Sequence, residues 1–435
     1  MGLPAGAAAL DSPPRASGRL WSRARTHSPA ILNSLVYLFF SFATAALGLA
    51  TAALLARFLP PAEYARIGIF ISVAYFITPA ISCAADGLIA VNKASMPEAQ
   101  YAHFVSTYVA LAYRICLAVQ LVAIASYWLG LFSDALLLLV PVFALVRVLA
   151  AWANTEYVIE ERVLTYGILG IATTLLSFIV TAVLLVVSVP SGAWRIAGML
   201  TADASLLWVR YRGRLNRLSG LRLDRQWVRH IVTFGLPSLV AVGGAWALNE
   251  SDKVVILRVA GREAAGLYTA ACAIGAIMTV FLQSLANGLT PRLYSALNAA
   301  RPAAQPRIIG TYSALFAGLA TLFALAASAV LLLVGDHLLS AKYAASKPLV
   351  IWYLAACISI AVYRPFGLAA DYFRLAGPRM WALLIGGAVT VCVAVVAVSS
   401  LGPAGATVGI AAGYLVAALL VFVHIRRHCL ATGRT

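Results

Sequence analysis

Between Ile31 and Ile425 the sequence alternates long apolar segments with short polar or basic turns. The first segment, Ile31–Leu55, has no charged residue and is long enough to cross a hydrocarbon layer about 30 Å thick at about 1.5 Å per residue. Because backbone polar groups cannot be left unpaired in lipid, segments of this kind predict membrane-spanning helices. Twelve spans are predicted: Ile31–Leu55, Ile67–Val91, Val105–Leu129, Ala135–Asn154, Tyr166–Val189, Trp194–Val209, Ile231–Leu257, Ala264–Thr290, Ile309–Val334, Leu349–Ala370, Met380–Leu401 and Ala404–Ile425.

The amino-acid composition excludes most other classes of protein. The 435 residues are 62% hydrophobic and only 11% charged, which leaves no room for a sizeable water-soluble domain. The apolar runs are too long and too uniform for the strands of a membrane barrel. The sequence therefore predicts an all-α integral membrane protein.

The basic residues predict how the chain is oriented. Alternation from a cytoplasmic N-terminus puts 21 of the 32 Lys and Arg residues on the cytoplasmic side and eight on the other, with Arg114, Arg147 and Arg364 inside spans. This bias predicts that both termini are cytoplasmic. Because topology accounts for most of the net charge of +17, no nucleic-acid partner is expected.

The position of the longest internal loop divides the chain into two halves. Residues 1–30 read as a disordered cytoplasmic tail, 31–209 as an N-lobe of six spans, 210–230 as a basic cytoplasmic linker, 231–427 as a C-lobe of six spans, and 428–435 as a second tail. An even number of spans per half predicts a parallel repeat. A faint internal echo supports it, since a shift of 201 residues places Arg57 on Arg258.

Three stretches carry a resemblance to a known family. They are FGLPSLV at 234–240, LNESDKVVILRVAGREAAGLYTAA at 248–271 with the later Pro291–Tyr294, and ARFLPPAEYARIGIFISV at 56–73. The chain resembles Wzx-type, lipid-linked oligosaccharide flippases of the multidrug/oligosaccharidyl-lipid/polysaccharide exporter superfamily. The resemblance implies about 12 transmembrane helices in two parallel-repeat six-helix lobes around a central cavity.

The same resemblance implies a function. Such a protein would move an undecaprenyl-diphosphate-linked oligosaccharide from the cytoplasmic to the periplasmic leaflet of the bacterial inner membrane, for O-antigen, capsule or exopolysaccharide assembly. Its partners would be the anionic lipid-linked glycan, membrane lipids, and a polymerase or other glycan-assembly proteins.

Arg114, Arg147 and Arg364 are the predicted substrate-binding residues. Each arginine near the centre of a membrane helix costs about 2.5–3.5 kcal/mol on insertion scales unless a carboxylate or water-filled cavity supports it. A guanidinium matches the geometry of a phosphate, so a cationic lumen could hold the diphosphate. The alternative is that they form structural ion pairs, with Asp86 and Asp203 as counter-charges.

Three carboxylates in or near spans are candidates for proton coupling: Asp86, Asp203 and Asp252. The alternative for the last is structural, because Glu250 and Lys253 are three residues apart and predict a local ion pair, with Asp252 at a helix end. Glu156, Glu160 and Glu161 are interpreted as a solvated helix end, and Arg210–Arg229 as an anchor on anionic headgroups.

Several chemistries have no signature in the sequence. There is no nucleotide-binding P-loop, the six His residues are scattered without metal-ligand spacing, and the six Cys residues form no extracytoplasmic set. We therefore expect no cofactor, no metal, no disulfide framework and no enzymatic activity.

Other functions stay open beside the flippase. An ion-coupled small-molecule exporter of the same fold would be expected to have acidic and aromatic pocket residues in preference to arginine, and the sequence does not show such a set. A glycan polymerase or ligase would need a larger extracytoplasmic loop than any in this chain. A non-transporting scaffold of a glycan-assembly complex would tolerate neutralisation of the membrane arginines.

Overall fold

The computed structural model describes residues 27–160, 162–212 and 223–432, and the predicted tail at 1–26 lies outside them. No strand occurs in these ranges. The first lobe consists of α1 (His27–Phe58), α2 (Pro61–Ile81), α3 (Asp86–Ser95), α4 (Glu98–Trp128), α5 (Val140–Ile159), α6 (Val163–Val187) and α7 (Ala193–Tyr211). The second consists of α8 (Arg225–Asn249), α9 (Ser251–Val259), α10 (Gly261–Gly275), α11 (Ile277–Ala299), α12 (Gln305–Leu338), α13 (Ser346–Tyr372), α14 (Ala376–Leu401) and α15 (Gly405–Thr432).

The helices reproduce the predicted twelve spans. Within the described ranges, nine stretches are long and apolar enough to cross a membrane, and the longest, Ala376–Ala431, holds both α14 and α15. Two more helices complete the set: α7, which is shorter and carries charged residues, and α8, which bends by 41°. The all-α, multi-pass architecture is confirmed.

The helix bounds differ from the predicted segments at the chain ends and in the linker. Helix α1 begins at His27, and α15 continues to Thr432, so residues assigned to the two tails are helical. Helix α7 runs to Tyr211 and α8 begins at Arg225, which leaves 213–222 of the predicted linker outside the described residues.

Three of the predicted spans are interrupted along their length. Span two breaks between α2 and α3, where Cys83 and Ala84 have φ of 51° and 48°, a left-handed conformation that non-glycine residues seldom adopt. Span seven breaks at Glu250, between α8 and α9, and span eight at Ala276, between α10 and α11. Each break lies beside the other lobe or within the C-lobe core, where neighbouring groups can satisfy the freed backbone atoms.

The ends of the first spans of the two halves match the internal echo. Helix α1 ends at Phe58 and α9 ends at Val259, 201 residues later. Each is followed by a tight turn and by a helix of the next span, α2 or α10. The two corresponding helices, α2 and α10, also form the most extensive contact between the lobes.

The lobes meet most closely at the side opposite to the termini. A Cβ atom on Gly266 would lie 1.8 Å from the carbonyl oxygen of Pro61, so only glycine permits this approach of the backbones. In the same region, the Tyr343 hydroxyl donates to the Leu59 carbonyl at 3.2 Å, and the Ser340 hydroxyl donates to the Ala56 carbonyl at 2.7 Å. This side of the molecule is therefore closed.

The interpretation of Glu156, Glu160 and Glu161 as a solvated helix end is wrong for Glu156, which lies within α5, while Glu161 lies outside the described residues. Glu156 is 3% exposed, and its carboxylate accepts hydrogen bonds from the Tyr101 hydroxyl at 3.0 Å and from Arg210 Nη2 at 2.8 Å. Arg210 also binds Glu160, at 2.9 Å. Arg210 therefore belongs to a buried ion-pair network of the N-lobe and is not a headgroup anchor. The sequence does not reveal the pairing because its partners lie in other helices.

The Gly266 contact gives a stability prediction. In Gly266→Ala the new methyl would meet the Pro61 backbone, which cannot rotate away, so we expect destabilisation by about 1–3 kcal/mol. Gly310→Ala is the control, since nothing lies within 4 Å of a Cβ atom there, and it should stabilise α12 by about 0.5–1 kcal/mol. Thermal unfolding of both purified variants measures the difference. Equal melting temperatures would contradict the close contact.

Candidate transport pathway between the lobes

A cavity of about 610 Å³ lies between the lobes. One wall is α2 of the N-lobe, and the other walls are α8, α9, α10, α11 and α13 of the C-lobe. Its polar lining includes Asn249, Glu250 and Lys253, and its aromatic lining consists of Tyr75, Trp246 and Tyr353. The cavity is thus an amphipathic space that both lobes enclose, as a pathway between two membrane faces requires.

A buried charged cluster lies where α8 breaks from α9. Lys253 Nζ is 2.8 Å from a carboxylate oxygen of Glu250 and 3.4 Å from one of Asp252, so the predicted local pair of Glu250 and Lys253 is confirmed. The Tyr268 hydroxyl donates to the other oxygen of Asp252 at 2.8 Å. Asp252 is only 1% exposed. Two carboxylates therefore share one ammonium group at the cavity wall.

The same break is tied to the opposite lobe. The Ser72 hydroxyl of α2 donates to the Glu250 carbonyl at 2.7 Å, which satisfies a backbone group that the break has freed. Trp246 Nε1 donates to the Ser72 carbonyl at 2.8 Å. Any movement of α2 relative to α8 must break or rearrange these bonds, so the charged cluster is mechanically coupled to the arrangement of the lobes.

Arg147 lies in the N-lobe in an ion pair. Its Nη1 atom is 3.1 Å from the Asp203 carboxylate of α7, while 42% of its side chain stays exposed. Arg195, also on α7, donates to the Ser177 hydroxyl at 2.8 Å and adds a second positive charge beside this pair. The predicted span Trp194–Val209 contains Arg195, and α7 begins at Ala193, but only the fold shows that this arginine lies near the pair of Arg147 and Asp203.

Arg364 lies in the C-lobe on α13. Its Nη2 atom donates to the Gln283 side chain of α11 at 2.7 Å, and among the described residues its buried Nε has no hydrogen-bond partner. The adjacent Tyr363 ring lies 5.6 Å from Tyr414, whose hydroxyl donates to Asn249 at 2.7 Å. Since Asn249 lines the cavity, the two tyrosines connect the cavity wall to the residue next to Arg364.

Arg114 and Asp86 have different surroundings. Arg114 is exposed on α4 on the same side of the helix as Leu117 and Leu121, and the described residues give it no ion pair or hydrogen bond. Asp86 begins α3 and accepts hydrogen bonds from the hydroxyls of Ser82 and Tyr108, both at 3.2 Å. No lysine or arginine among the described residues forms an ion pair with Asp86.

The structure therefore does not gather the predicted site residues into one group. Arg147 and Arg364 belong to different lobes, Arg114 shares no described interaction with either, and none of the three lines the 610 Å³ cavity. The alternative interpretation, a structural ion pair, is what the structure shows for Arg147 and Asp203. Asp252 belongs to the charged cluster at the cavity.

Comparison with known proteins places the chain in a family. Residues 54–346, more than half of the sequence, match the family described as polysaccharide biosynthesis protein. The chain belongs to this family. No curated protein matches the sequence.

Comparison with solved structures shows the fold of this chain. An inward-facing multidrug resistance MATE transporter of the MOP superfamily is similar over 92% of this chain and 99% of its own, with 17% identity and a TM-score of 0.64. The lipid II flippase MurJ in an inward closed conformation is similar over 92% of each chain, with 12% identity and a TM-score of 0.67. An outward-facing MATE transporter gives a TM-score of 0.56 at 17% identity, over 93% of this chain and 96% of its own. The two-lobed fold is thus shared with both classes.

The buried cluster predicts a strong dependence on Lys253. In Lys253→Met the neighbouring carboxylates of Glu250 and Asp252 would lose their shared counter-charge, at a cost of about 3–5 kcal/mol. We expect reduced membrane abundance and a lower melting temperature, partly restored by adding Asp252→Asn. Lys342→Met, at an exposed position, is the matched control and should behave like the unaltered protein. Normal stability of Lys253→Met would show that the cluster is not held by charge.

Proposed function

We propose that the protein is a flippase that carries an undecaprenyl-diphosphate-linked oligosaccharide from the cytoplasmic to the periplasmic leaflet of the bacterial inner membrane. Membership of the polysaccharide biosynthesis family and the two-lobed fold support the class of function. The observation that supports an anionic substrate is that each lobe has a membrane arginine with unused hydrogen-bond donors. The proposed orientation, with both termini cytoplasmic, follows the distribution of basic residues.

Arg147 and Arg364 have the properties that a diphosphate site needs. Among the described residues, each uses a single guanidinium nitrogen in one hydrogen bond, to Asp203 and to Gln283 respectively. The remaining N–H groups can bind phosphate oxygens in a bidentate manner. Because an arginine at membrane depth is costly, retaining two that are only partly satisfied favours a role with a ligand. Arg195 would add positive charge on the N-lobe side.

The closed extracytoplasmic side suggests how transport would proceed. A lipid-linked glycan would enter from the cytoplasmic side, and its diphosphate would contact the arginine of one lobe and then that of the other as the lobes move. Rearrangement of α2 against α10 then opens the opposite side, while the hydrophobic lipid tail stays in the bilayer. The bonds from Ser72 and Trp246 across the lobes would be exchanged in this step.

A small-molecule exporter is the second candidate, and the cavity itself favours it. The sequence-based expectation that acidic and aromatic pocket residues are absent is wrong, because Glu250, Tyr75, Trp246 and Tyr353 line the cavity. Such a lining suits flat organic cations. However, Lys253 at 2.8 Å offsets the charge of Glu250. The remaining negative charge of the cluster is on Asp252, which is 1% exposed and does not line the cavity. We therefore favour the anionic substrate.

The arginines give the main functional prediction. Arg147→Ala and Arg364→Ala should each abolish most glycan export at normal protein abundance, and Arg→Lys should recover only part of it because the planar fork is lost. Asp203→Asn should not rescue Arg147→Ala. Arg114→Ala should retain most export, since Arg114 is exposed on α4 and shares no described interaction with the other two. The measurement is surface glycan normalised to protein level.

Arg301→Ala, at an exposed loop position, serves as the control for loss of a positive charge. Recovery of export in Arg147→Ala by Asp203→Asn would identify a purely structural ion pair. Full export by the double variant of Arg147 and Arg364 would end the proposed mechanism. Efflux of cationic dyes, with normal glycan export in every variant, would favour the exporter.

The cluster at the α8–α9 break is the proposed site of proton coupling. Among the predicted carboxylates, Asp203 is paired with Arg147, and Asp86 is exposed and held by two hydroxyl groups. At Glu250 and Asp252 two carboxylates share one ammonium, so the cluster carries one net negative charge that a proton can neutralise. The Glu250 carbonyl also contacts the other lobe, which links protonation to movement.

We expect Glu250→Gln and Asp252→Asn to remove the dependence of transport on the pH gradient while preserving side-chain volume and abundance. Asp86→Asn is the matched control and should retain a full response. Transport by inverted vesicles, assayed with and without an imposed gradient, provides the measurement. If only Asp86→Asn loses the response, the coupling site lies at the α2–α3 break instead.

A further inference from the structure

A second cavity, of about 560 Å³, lies between the lobes on the side opposite to the termini. Its N-lobe wall consists of α2 and the loop 130–134, and its C-lobe wall consists of the end of α9 and the start of α10. These segments adjoin the connections after spans one, three and seven, which all emerge on the same face. The cavity opens outward, so solutes and lipids on that face can reach it.

On the N-lobe wall, Arg66 is fixed by carboxylates. Its Nε and Nη2 atoms bind the two oxygens of Asp134 at 2.7 and 2.8 Å, and Nη1 binds Glu63 at 2.9 Å. The second Glu63 oxygen accepts from the Ser191 hydroxyl and the Gly192 amide at 3.0 and 2.8 Å. This wall is rigid, and the charge of Arg66 is offset.

On the C-lobe wall, two arginines have no ion-pair partner among the described residues. Arg258 and Arg262 both line the cavity, both are exposed, and neither forms an ion pair or side-chain hydrogen bond with a described residue. The hydrogen bonds from Arg66 hold the pKa of Asp134 below its usual range, and the positive charge of Arg262 contributes from across the cavity. The carboxylate of Glu263, next to Arg262, is not part of the lining.

We propose that this cavity binds a phosphate or diphosphate group presented on the extracytoplasmic side, and that the bound anion holds the two lobes closed there. Arg258 and Arg262 would bind the oxygens from the C-lobe, and the Ser133 hydroxyl is the donor available on the N-lobe wall. This site differs from the membrane arginines Arg147 and Arg364. The proposal depends on the proposed function in one respect only, namely that the diphosphate of the delivered product is one source of the anion.

The effect on the lobes follows from the composition of the walls. Opening this side would separate α2 from α9 and α10, which would divide the anion site between two moving bodies. A ligand that binds only the closed arrangement shifts the equilibrium toward it in proportion to its differential affinity. Delivered product that has not yet left would therefore delay the next outward opening.

Binding can be tested on the full-length protein in nanodiscs of zwitterionic lipid, titrated with inorganic pyrophosphate by calorimetry. We expect saturable binding that weakens roughly tenfold in Arg258→Gln and again in Arg262→Gln, as is typical for loss of a charge-assisted contact. Arg57→Gln is the matched control, because Arg57 is exposed, occupies the position equivalent to Arg258 in the first half, and does not line the cavity. Absence of binding, or equal binding in the double variant, would overturn the proposal.

Closure can be tested with spin labels at Trp128→Cys and Ala260→Cys in a background without native cysteines. Pyrophosphate should increase the short-distance population, and the double variant Arg258→Gln/Arg262→Gln should show no such shift. Pyrophosphate that binds without changing the distance distribution would refute the effect on closure.

Two lipid arms distinguish the source of the anion. A polyisoprenyl diphosphate that competes with pyrophosphate supports delivered product, and lack of competition assigns the site to soluble phosphates. If only phosphatidylglycerol stabilises the protein through these arginines, they are headgroup anchors and the proposal fails. Pyrophosphate binding in a protein that exports no glycan would reject the flippase and retain the anion site.

Discussion

The constraint on which this structure depends is that no polar group can be left unpaired in hydrocarbon. It makes the spans helical, and it also decides where a span can be interrupted. The break at Glu250 is possible because Ser72 of the other lobe donates to the freed carbonyl at 2.7 Å. The break after α2 is closed locally, by the Ala84 amide donating to the Pro79 carbonyl at 2.7 Å. In a soluble protein, water would satisfy a carbonyl freed by such a break. Here a side chain of the other lobe does so, and the hydrogen bond links the two lobes.

The same constraint separates structural charges from those with unused capacity. Glu156 with Arg210, and Lys253 with Glu250 and Asp252, form compact networks in which each charge has a partner. Arg364 has only Gln283, a neutral group, and its Nε has no partner among the described residues. Such an incompletely satisfied group is costly at membrane depth. This is the physical basis for proposing Arg364 as one of the substrate-binding arginines.

Small residues set the geometry of the lobe contact. Gly266 lets α10 approach the Pro61 backbone. Gly68 lies beside Thr269, and a Cβ atom on Gly68 would lie 2.3 Å from the threonine hydroxyl oxygen. In lipid, close packing of backbones replaces the hydrophobic effect as the source of helix association. Because these contacts join α2 and α10 near the ends that lie opposite to the chain termini, the lobes are closed against each other on that side.

The sequence by itself determined the features that depend on near neighbours along the chain. The spans follow from segment length and hydropathy, the pair of Glu250 and Lys253 from a three-residue spacing on a helix, and the matching ends of α1 and α9 from the 201-residue echo. Only the tertiary structure decided that Glu156 is buried against Arg210, 54 residues away, that Arg195 joins the pair of Arg147 and Asp203, and that Arg114 stands apart from the other membrane arginines. The reason is that a membrane helix is apolar on both its lipid-facing and its protein-facing sides, so hydropathy reports the span but not its rotation. Rotation and packing bring distant charges together, and they are fixed only when the helices meet.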